Sequence, residues 1–242
     1  MYSMDRQFGF VNDYVYKHRG KTLKWFPSDT RDKFLANDKD RLVELGWLGT
    51  PIEYKISRYG LRHNDEPEKQ GGVMWVGSSD VFGVGNHYID NYTYIAHHKT
   101  YPDLPYYNLG CAGFGIETYY RVIRFNIERL KPSILVLTKT WEHSRTEKWN
   151  GKSYEHQFLA NSNQIYFDKT PTSLRYLKNM DAIRYLCHRY GVEFIYKGAT
   201  IKYLEHPYNS NKYRTARDLH HKGKEWHAIV GNEYTHETDR VD

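Results

Sequence analysis

Three short apolar runs constrain the fold of this chain more than any other feature of its sequence. They read VMWV at 73–76, SILVLT at 133–138 and VEFIY at 192–196. Short apolar runs without polar alternation are typical of strands that are buried on both faces of a sheet. A fourth run, YYNLG at 106–110, predicts a further short strand.

Helical patterns separate these strands. One helix is predicted to follow Gly113–Gly115 and to end near Leu130, with apolar residues at helical spacing. A second helix is predicted to run from a cap at Thr172 or Ser173 to about Tyr190. The expected inner face of this second helix consists of Leu174, Leu177, Ile183, Leu186 and Cys187.

A final helix is predicted to begin near Lys222. Strands that alternate with helices predict an α/β fold with a parallel sheet and helices on both faces. In such sheets functional residues gather at the carboxyl ends of the strands. Ser79, Gly113, residues 140–142 and the segment before the last helix are expected to lie at that edge.

The first 70 residues differ from the rest of the chain. They contain a predicted short helix at Asp38–Leu45 and a predicted strand in which Ile52, Tyr54 and Ile56 alternate with polar residues. The run HNDEPEKQGG has the composition of a loop and suggests a boundary. We therefore expect residues 1–70 to form an N-terminal extension that packs on a core domain of residues 71–242, covering one edge of its sheet.

The charge pattern disfavours nucleic acid as a partner. The formal net charge is +6 with an isoelectric point near 9.0, but lysines and arginines are interspersed with acidic residues. A nucleic-acid surface would instead concentrate them in a patch or stripe. The pattern favours a mildly basic, solvated surface.

Cysteine usage and targeting signals bound the class of protein. Cys111 and Cys187 both lie in apolar segments, so we expect buried, reduced side chains rather than a disulfide framework. The N-terminus lacks the order of a signal peptide, and no apolar run approaches the roughly 20 residues of a membrane span. These features predict a soluble, cytoplasmic protein with no membrane partner.

The segment GSSDVFGVG at 77–85 places small residues directly after a strand. Such a turn can cradle phosphate, expose a nucleophile or simply connect two elements tightly. A phosphate-binding P-loop is excluded because the spacing from Gly77 to Gly83 is one residue too long and Val84 replaces the lysine. The run GCAGFG at 110–115 has the wrong glycine intervals for a dinucleotide-binding turn, so no cofactor is predicted.

Histidine spacing does not predict a metal site. The chain has thirteen histidines, but neither an HExxH motif nor a pair of CxxC motifs occurs. Two histidines stand in a different context, within ARDLHHKG at 216–223. There Asp218 and His221 are three residues apart, so one turn could aim both side chains together, as a serine nucleophile requires of its base and orienting carboxylate. Alternatively, Asp218 only caps the turn or the helix that follows.

Three segments resemble the signature blocks of the SGNH (GDSL-type) serine hydrolases. GSSDVFGVG at 77–85 is similar to the first block, NLGCAGFG at 108–115 to the second and ARDLHHKG at 216–223 to the last. The lead-in YGLRHNDEP at 59–67 is similar to the approach to the first block in many microbial members. The resemblance covers about residues 59–230, in the family's order, and implies a three-layer α/β/α flavodoxin-like fold that needs neither metal nor organic cofactor.

The resemblance also assigns roles to individual residues. It implies that Ser79 is the nucleophile, His221 the base and Asp218 its orienting group, with Ser78 in the position where aspartate is usual. It further implies that the backbone N–H groups of Ser79 and Gly113 form the oxyanion hole.

The third family block is altered in this chain. An asparagine is expected after SILVLT, but the sequence reads KTWEHS, with Trp141 or a neighbour in that position. Loss of one oxyanion donor from a site built for it raises the barrier by about 2.7–4 kcal/mol. Thr140, Asn108 or a group from the connection 142–171 could substitute, and we include Asn108, Thr140 and Trp141 as candidate substrate-binding residues.

The resemblance implies a serine esterase that hydrolyses O-acyl esters, with acetyl esters on a polysaccharide as the expected substrate. Tryptophans, including Trp141, Trp149 and Trp226, could stack on sugars, although a core or interface role is the simpler interpretation. The alternative is a non-catalytic module on the same fold that binds glycan or joins a homo-oligomer or larger assembly, such as a virion.

Overall fold

The structure is a computed structural model that describes residues 10–62, 69–138, 145–149, 154–158, 169–197, 215–219 and 221–236. For residues 145–149, 154–158 and 169–175 only the backbone is described. Residues 63–68 of the predicted loop HNDEPEKQGG, as well as Thr140 and Trp141, therefore lie outside the described residues.

Parallel strands form the centre of the fold. The strands in the described part of the chain are β1 (Lys21–Leu23), β2 (Tyr54–Ile56), β3 (Val73–Gly77), β4 (Tyr106–Gly110), β5 (Ile134–Thr138), β6 (Arg145–Trp149), β7 (Tyr154–Phe158) and β8 (Glu193–Lys197). Four of them form a parallel sheet in the order β4-β3-β5-β8. All four were predicted from the apolar runs, and all residues of β3 and β5 are buried as those runs indicated.

Helices cover both faces of this sheet. They are α1 (Asp13–Lys17), α2 (Arg31–Ala36), α3 (Lys39–Glu44), α4 (Ser79–Phe82), α5 (Tyr92–Thr100), α6 (Ile116–Leu130), α7 (Lys169–Tyr190) and α8 (Lys224–Glu233), with a short 3-10 turn at Tyr88–Asp90. Successive side chains of a strand point to opposite faces. Accordingly, Met74 and Val76 pack in a core with α6 and α7, whereas Val73 and Trp75 pack in a second core with α5 and α8. The predicted α/β class is confirmed.

The N-terminal residues pack on the sheet edge and on α6. Strands β1 and β2 form an antiparallel pair, and Arg62 bridges Ile56 of β2 to Asn108 of the edge strand β4. The guanidinium of Arg121 on α6 donates hydrogen bonds to the carbonyl oxygens of Phe10 (2.6 Å) and Val11 (3.0 Å). Because these residues also join the α6 core, residues 10–62 are built onto the domain by both packing and backbone pairing.

Several sequence expectations need correction in detail. Helix α7 begins at Lys169 rather than at Thr172 or Ser173, whereas α8 begins at Lys224, close to the predicted start near Lys222. The segment 142–171, expected as a connection, contains the antiparallel hairpin β6–β7. The segment 91–98, for which helical and irregular structures both remained open, lies mostly in helix α5.

The inner face of α7 is also partly different from the expectation. Ile183, Leu186 and Cys187 are buried as predicted, but Leu177 is 50% exposed, and the side chain of Leu174 is outside the described set. Residues that share the buried face with Ile183 are Tyr176 and Met180. Leu177 lies about 120° around the helix from Ile183, since each residue advances by about 100°, so its assignment to the inner face was wrong.

Both cysteines are buried and neither forms a disulfide, as predicted. Burial raises the pKa of the Cys187 thiol to about 12, which keeps it protonated and unreactive at neutral pH. Among the described helices, none combines the length and apolar character needed to cross a bilayer.

The corrected face of α7 predicts unequal effects of truncating two apolar residues of one helix. We expect Ile183→Ala to lower the free energy of unfolding by about 2–5 kcal/mol, because it leaves a cavity in the core. The matched control Leu177→Ala should change it by only about 0.5 kcal/mol, because that side chain is half exposed. Urea unfolding followed by circular dichroism measures both values, and equal losses would contradict the assigned face.

Candidate active site

The carboxyl ends of β3 and β5 meet where the strand order reverses. From β3 the chain continues to β4 on one side of the sheet, whereas from β5 it continues to β8 on the other. In open α/β sheets the crevice outside such a reversal is the usual ligand-binding position. The residues that leave β3 at this point are Ser78 and Ser79.

Only one of these two serines is accessible. Ser78 precedes the first turn of α4 and is 5% exposed, whereas Ser79, the first residue of that helix, is partly exposed. A strand that turns at once into a helix places the first helical side chain at the mouth of the sheet, as in nucleophile elbows. Accessibility thus favours Ser79 over Ser78.

Gly77 explains why a small residue must end β3. A Cβ atom at this position would lie 2.2 Å from Thr138 Oγ1 and 2.4 Å from Val81 Cγ2. The close approach of β5 and α4, rather than an unusual backbone angle, therefore requires glycine here.

A buried arginine holds the loop that follows Ser79. The Arg62 side chain donates from Nη1 to the carbonyl oxygens of Phe82 and Gly83 and from Nη2 to that of Asn86 (2.8 Å). Its guanidinium carbon also lies 4.8 Å from the centre of the Tyr54 ring. Although burial lowers the pKa of this guanidinium, arginine remains charged in proteins, so a buried cation donates hydrogen bonds to the carbonyl groups of this segment.

Arg62 was not identified by sequence reasoning. The signal was present in the lead-in YGLRHNDEP, where it is the arginine nearest to the first block. However, a single arginine beside acidic residues is typical of a solvated loop, and no local pattern distinguishes the two cases.

Gly85 joins the loop after Ser79 to the segment that carries Asp218. The backbone N–H of Arg217 donates to the Gly85 carbonyl (2.9 Å). Gly85 has φ +73°, and a Cβ atom there would lie 2.8 Å from the Ala216 Cβ and 3.4 Å from Asp218 Oδ1. Gly85 and Arg217, 132 residues apart in sequence, thus meet backbone to backbone at a position that must be glycine.

The loop after Ser79 also contacts the residue that follows His221, Lys222. The side-chain amide of Asn86 donates to the carbonyl oxygen of Lys222 (2.7 Å) and to that of Val84 (3.0 Å). Asn86 is fully buried, so these hydrogen bonds are shielded from water. Gly85 and Asn86 therefore contact Arg217 and Lys222, which lie on either side of Asp218 and His221 in the sequence.

Asp218 and His221 form a hydrogen-bonded pair. Asp218 Oδ2 lies 2.6 Å from His221 Nδ1, and Asp218 Oδ1 accepts from the backbone N–H of His221 (3.0 Å). Asp218 is buried, while the His221 side chain is 16% exposed. Between them Leu219 adopts φ +51°, a left-handed conformation that is costly for a branched side chain. This geometry turns the side chains of Asp218 and His221 toward each other.

Electrostatics favour the charged form of this histidine. Burial is the largest influence and lowers the pKa of His221, but the hydrogen bond and charge of Asp218, together with the charge of Asp80, outweigh it and raise the pKa above the ordinary value. Asp80 follows Ser79 directly. Its charge acts on the pKa of His221, so the segment that begins at Ser79 lies near the segment that carries His221. Burial raises the pKa of Asp80, whereas His221 and Lys222 act in the opposite direction.

Ser79 and His221 are not hydrogen-bonded to each other in the structure. The Ser79 hydroxyl and the backbone N–H groups of Ser79 and Gly113 donate no hydrogen bond within the described part of the chain. Gly113 has φ +89°, and a Cβ atom there would meet nothing within 4 Å. Catalytic hydrogen bonds often tighten only when substrate binds, and available N–H groups are what an oxyanion hole requires.

Asn108 has a structural position rather than an accessible one. It is 1% exposed, its amide nitrogen donates to the carbonyl of Val81 (2.7 Å) and to the Tyr106 hydroxyl (3.0 Å), and its Oδ1 accepts from the Gly110 N–H (2.9 Å). These hydrogen bonds fix α4 on β4, so the substrate contact expected for Asn108 has no support.

Of the three tryptophans considered for sugar stacking, the structure describes the side chain of Trp226 alone. Trp226 is fully buried in the core between α5 and α8, as the simpler interpretation predicted. Of Trp149 only the backbone is described, and the altered third block, KTWEHS, lies outside the described residues.

Comparisons with known proteins assign no family. No protein-family model matches the chain, and no curated protein matches it significantly. Within the described residues, no group of three or more histidine, cysteine, aspartate or glutamate side chains converges as metal ligands would.

The contact at Gly85 can be tested against another glycine with the same backbone angle. Gly20 also has φ +73°, but a Cβ atom there would meet nothing within 4 Å. We expect Gly20→Ala to destabilise the fold by about 1–2 kcal/mol, the cost of the left-handed conformation. Gly85→Ala should destabilise the fold by the same amount and by about 1–3 kcal/mol more, because the added Cβ atom overpacks the contact with Ala216. Denaturant unfolding measures the difference, and equal effects would disprove the close contact.

The Asp218–His221 pair predicts a titration that can be measured directly. We expect NMR titration to give His221 a pKa above the ordinary value of about 6.5, and Asp218→Asn to lower it. Because the folded pKa is the higher one, the pair stabilises the fold fully below the unfolded pKa, and this stabilisation is lost as pH rises through the folded value. The exposed Asp181→Asn serves as the control and should leave the titration unchanged; the same result for Asp218→Asn would refute the pairing.

Proposed function

We propose that this protein is a serine esterase of the SGNH type that hydrolyses O-acyl esters. The observation that carries the proposal is the hydrogen-bonded Asp218–His221 pair, held through Gly85 against the loop that begins at Ser79. The strand order β4-β3-β5-β8 supports a flavodoxin-like arrangement, because it corresponds to the order 2-1-3-4 of such sheets.

The proposed reaction has two halves. Ser79 Oγ attacks the ester carbonyl carbon while His221 Nε2 takes the hydroxyl proton, and Asp218 stabilises the imidazolium through Nδ1. The N–H groups of Ser79 and Gly113 bind the oxyanion. The tetrahedral intermediate collapses as His221 returns the proton to the leaving alcohol. Water, deprotonated by His221, then hydrolyses the acyl-enzyme and releases the acid and free Ser79.

The proposed substrate is a small acyl ester, with an acetyl group on a polysaccharide as the specific candidate. Support for this comes from the resemblance of the three sequence blocks to microbial carbohydrate-modifying esterases. Asp80, a partly buried carboxyl beside the nucleophile, adds a hydrogen-bond acceptor suited to sugar hydroxyl groups.

A second candidate function is a non-catalytic module that binds glycan or joins an assembly on the same fold. Two observations favour it. Ser79 makes no hydrogen bond to His221 among the described residues, and KTWEHS replaces the expected third block.

Hydrolysis of p-nitrophenyl acetate by the purified protein separates these two functions. We expect turnover that Ser79→Ala abolishes, since loss of a triad nucleophile lowers kcat on the order of 10⁶-fold. Ser78→Ala is the matched control and should retain most activity. A fluorophosphonate probe should label the wild type and Ser78→Ala but not Ser79→Ala. Wild-type turnover at the level of Ser79→Ala, on small and polymeric esters alike, would favour the binding module.

A further inference from the structure

A buried ion pair links the N-terminal segment to the segment that carries Asp218. Arg217 donates to the carboxylate of Asp29 from Nε (3.2 and 3.3 Å) and from Nη2 (2.6 Å). Asp29 is 0% exposed and Arg217 is 3% exposed. The guanidinium also lies over the Trp25 ring, 4.1 Å from its centre, and donates to the Lys24 carbonyl (2.8 Å). Burial of both charges makes each dependent on the other, because either alone would be unpaired in the interior.

Tyr54 connects this ion pair to Gly85. Its hydroxyl donates to Asp29 Oδ2 (2.5 Å) and accepts from the backbone N–H of Gly85 (2.8 Å). Burial and the charge of Asp29 raise the pKa of Tyr54, so the hydroxyl keeps the proton that it donates. The ring is fully buried, which fixes the direction of the hydroxyl.

Both backbone polar groups of Gly85 are therefore held by the network of Asp29, Tyr54 and Arg217. Tyr54 accepts from its N–H, while the backbone N–H of Arg217 donates to its carbonyl. Asp29 binds both of these partners and closes the ring of contacts. The residue so fixed is the one that lies against Asp218 Oδ1 and follows Ser79 by six positions.

We propose that Asp29 and Tyr54 are positioning residues, which set the Asp218–His221 pair in register with Ser79 through Gly85. This inference rests on the proposed esterase function. Neither residue is accessible to substrate, so each acts through the backbone of the two loops. Misplacement of catalytic groups by about 1 Å can lower the rate about 100-fold, which is the way in which a residue remote from the ester could control turnover.

The test variant is Tyr54→Phe, which removes one oxygen and keeps the ring and the net charge. The control is Tyr107→Phe, because Tyr107 is also buried and donates to a backbone carbonyl, that of Lys69, near the amino-terminal end of β4. With p-nitrophenyl acetate we expect Tyr54→Phe to lower kcat at least tenfold with KM within twofold. Fluorophosphonate labelling of Ser79 should slow similarly, and Tyr107→Phe should match the wild type.

A second readout does not depend on ester hydrolysis. The charged groups that raise the pKa of His221 are Asp218, Asp80 and Asp29, and His227 also interacts with it. Tyr54→Phe alters none of these charges, so a change in the NMR titration of His221 reports geometry alone. We expect the pKa of His221 to fall toward its ordinary value because the hydrogen bond to Asp218 loosens.

The outcomes distinguish this inference from the proposed function. The positioning role is overturned if Tyr54→Phe and Tyr107→Phe have the same kcat and the same His221 titration. Wild-type protein without turnover or labelling overturns the esterase function, and the titration then decides the positioning role alone. If Tyr54→Phe does not fold, the double variant Asp29→Leu with Arg217→Met replaces it, since exchanging both members of a buried pair for apolar residues can preserve stability. If this double variant folds and its kcat equals that of the wild type, the inference is also overturned.

Discussion

Burial of β3 on both faces is the constraint on which the rest of the structure depends. Its alternate side chains enter two separate cores, so α6 and α7 must cover one face and α5 and α8 the other. Because both faces of β3 are covered, the chain can reach the surface only beyond the two ends of this strand. At the carboxyl end, Gly77 lets β5 and α4 approach closely, and the first accessible side chain beyond it is that of Ser79. The packing of the sheet thus determines where a nucleophile can be presented.

The loop beyond α4 shows how buried backbone can be satisfied without a strand or long helix. Its carbonyl groups accept from the Arg62 guanidinium, and Gly85 is paired to Tyr54 and Arg217. Buried polar groups of the backbone must find partners. Here the side chains of Arg62 and Tyr54 supply most of them, and the backbone N–H of Arg217 supplies the partner of the Gly85 carbonyl. The N-terminal segment therefore completes the interior around the candidate site, besides extending the edge of the sheet at β4.

Charge has two different functions around this site. Asp29 and Arg217 form a buried ion pair with 2.6 Å between Asp29 Oδ2 and Arg217 Nη2. By contrast, Asp218 and Asp80 act on a histidine that retains some exposure. The first arrangement fixes backbone positions, and the second provides a titratable group that can exchange a proton with a ligand. Arg217 of the buried pair directly precedes Asp218 of the pair Asp218–His221 in the sequence. The first pair can therefore hold the backbone in place while His221 still gains and loses a proton.

The sequence by itself determined the buried strands, the helices that follow β4 and β5 and the burial of both cysteines, because local periodicity encodes them. The spacing of Asp218 and His221 also allowed the contact that the structure shows between them. The same local patterns misplaced Leu177 on α7, since a helix stripe is settled by which neighbours it packs against. Tertiary structure alone decided that Asn108 is committed to the interior, and that Asp29, Tyr54 and Arg62 surround the loop after Ser79. Contacts between Asp29 and Arg217 span 188 residues, and no local pattern predicts a pairing over that separation. The physical reason is that hydrogen bonds and ion pairs of buried groups depend on which segments the sheet brings together, whereas apolar periodicity depends only on the element itself.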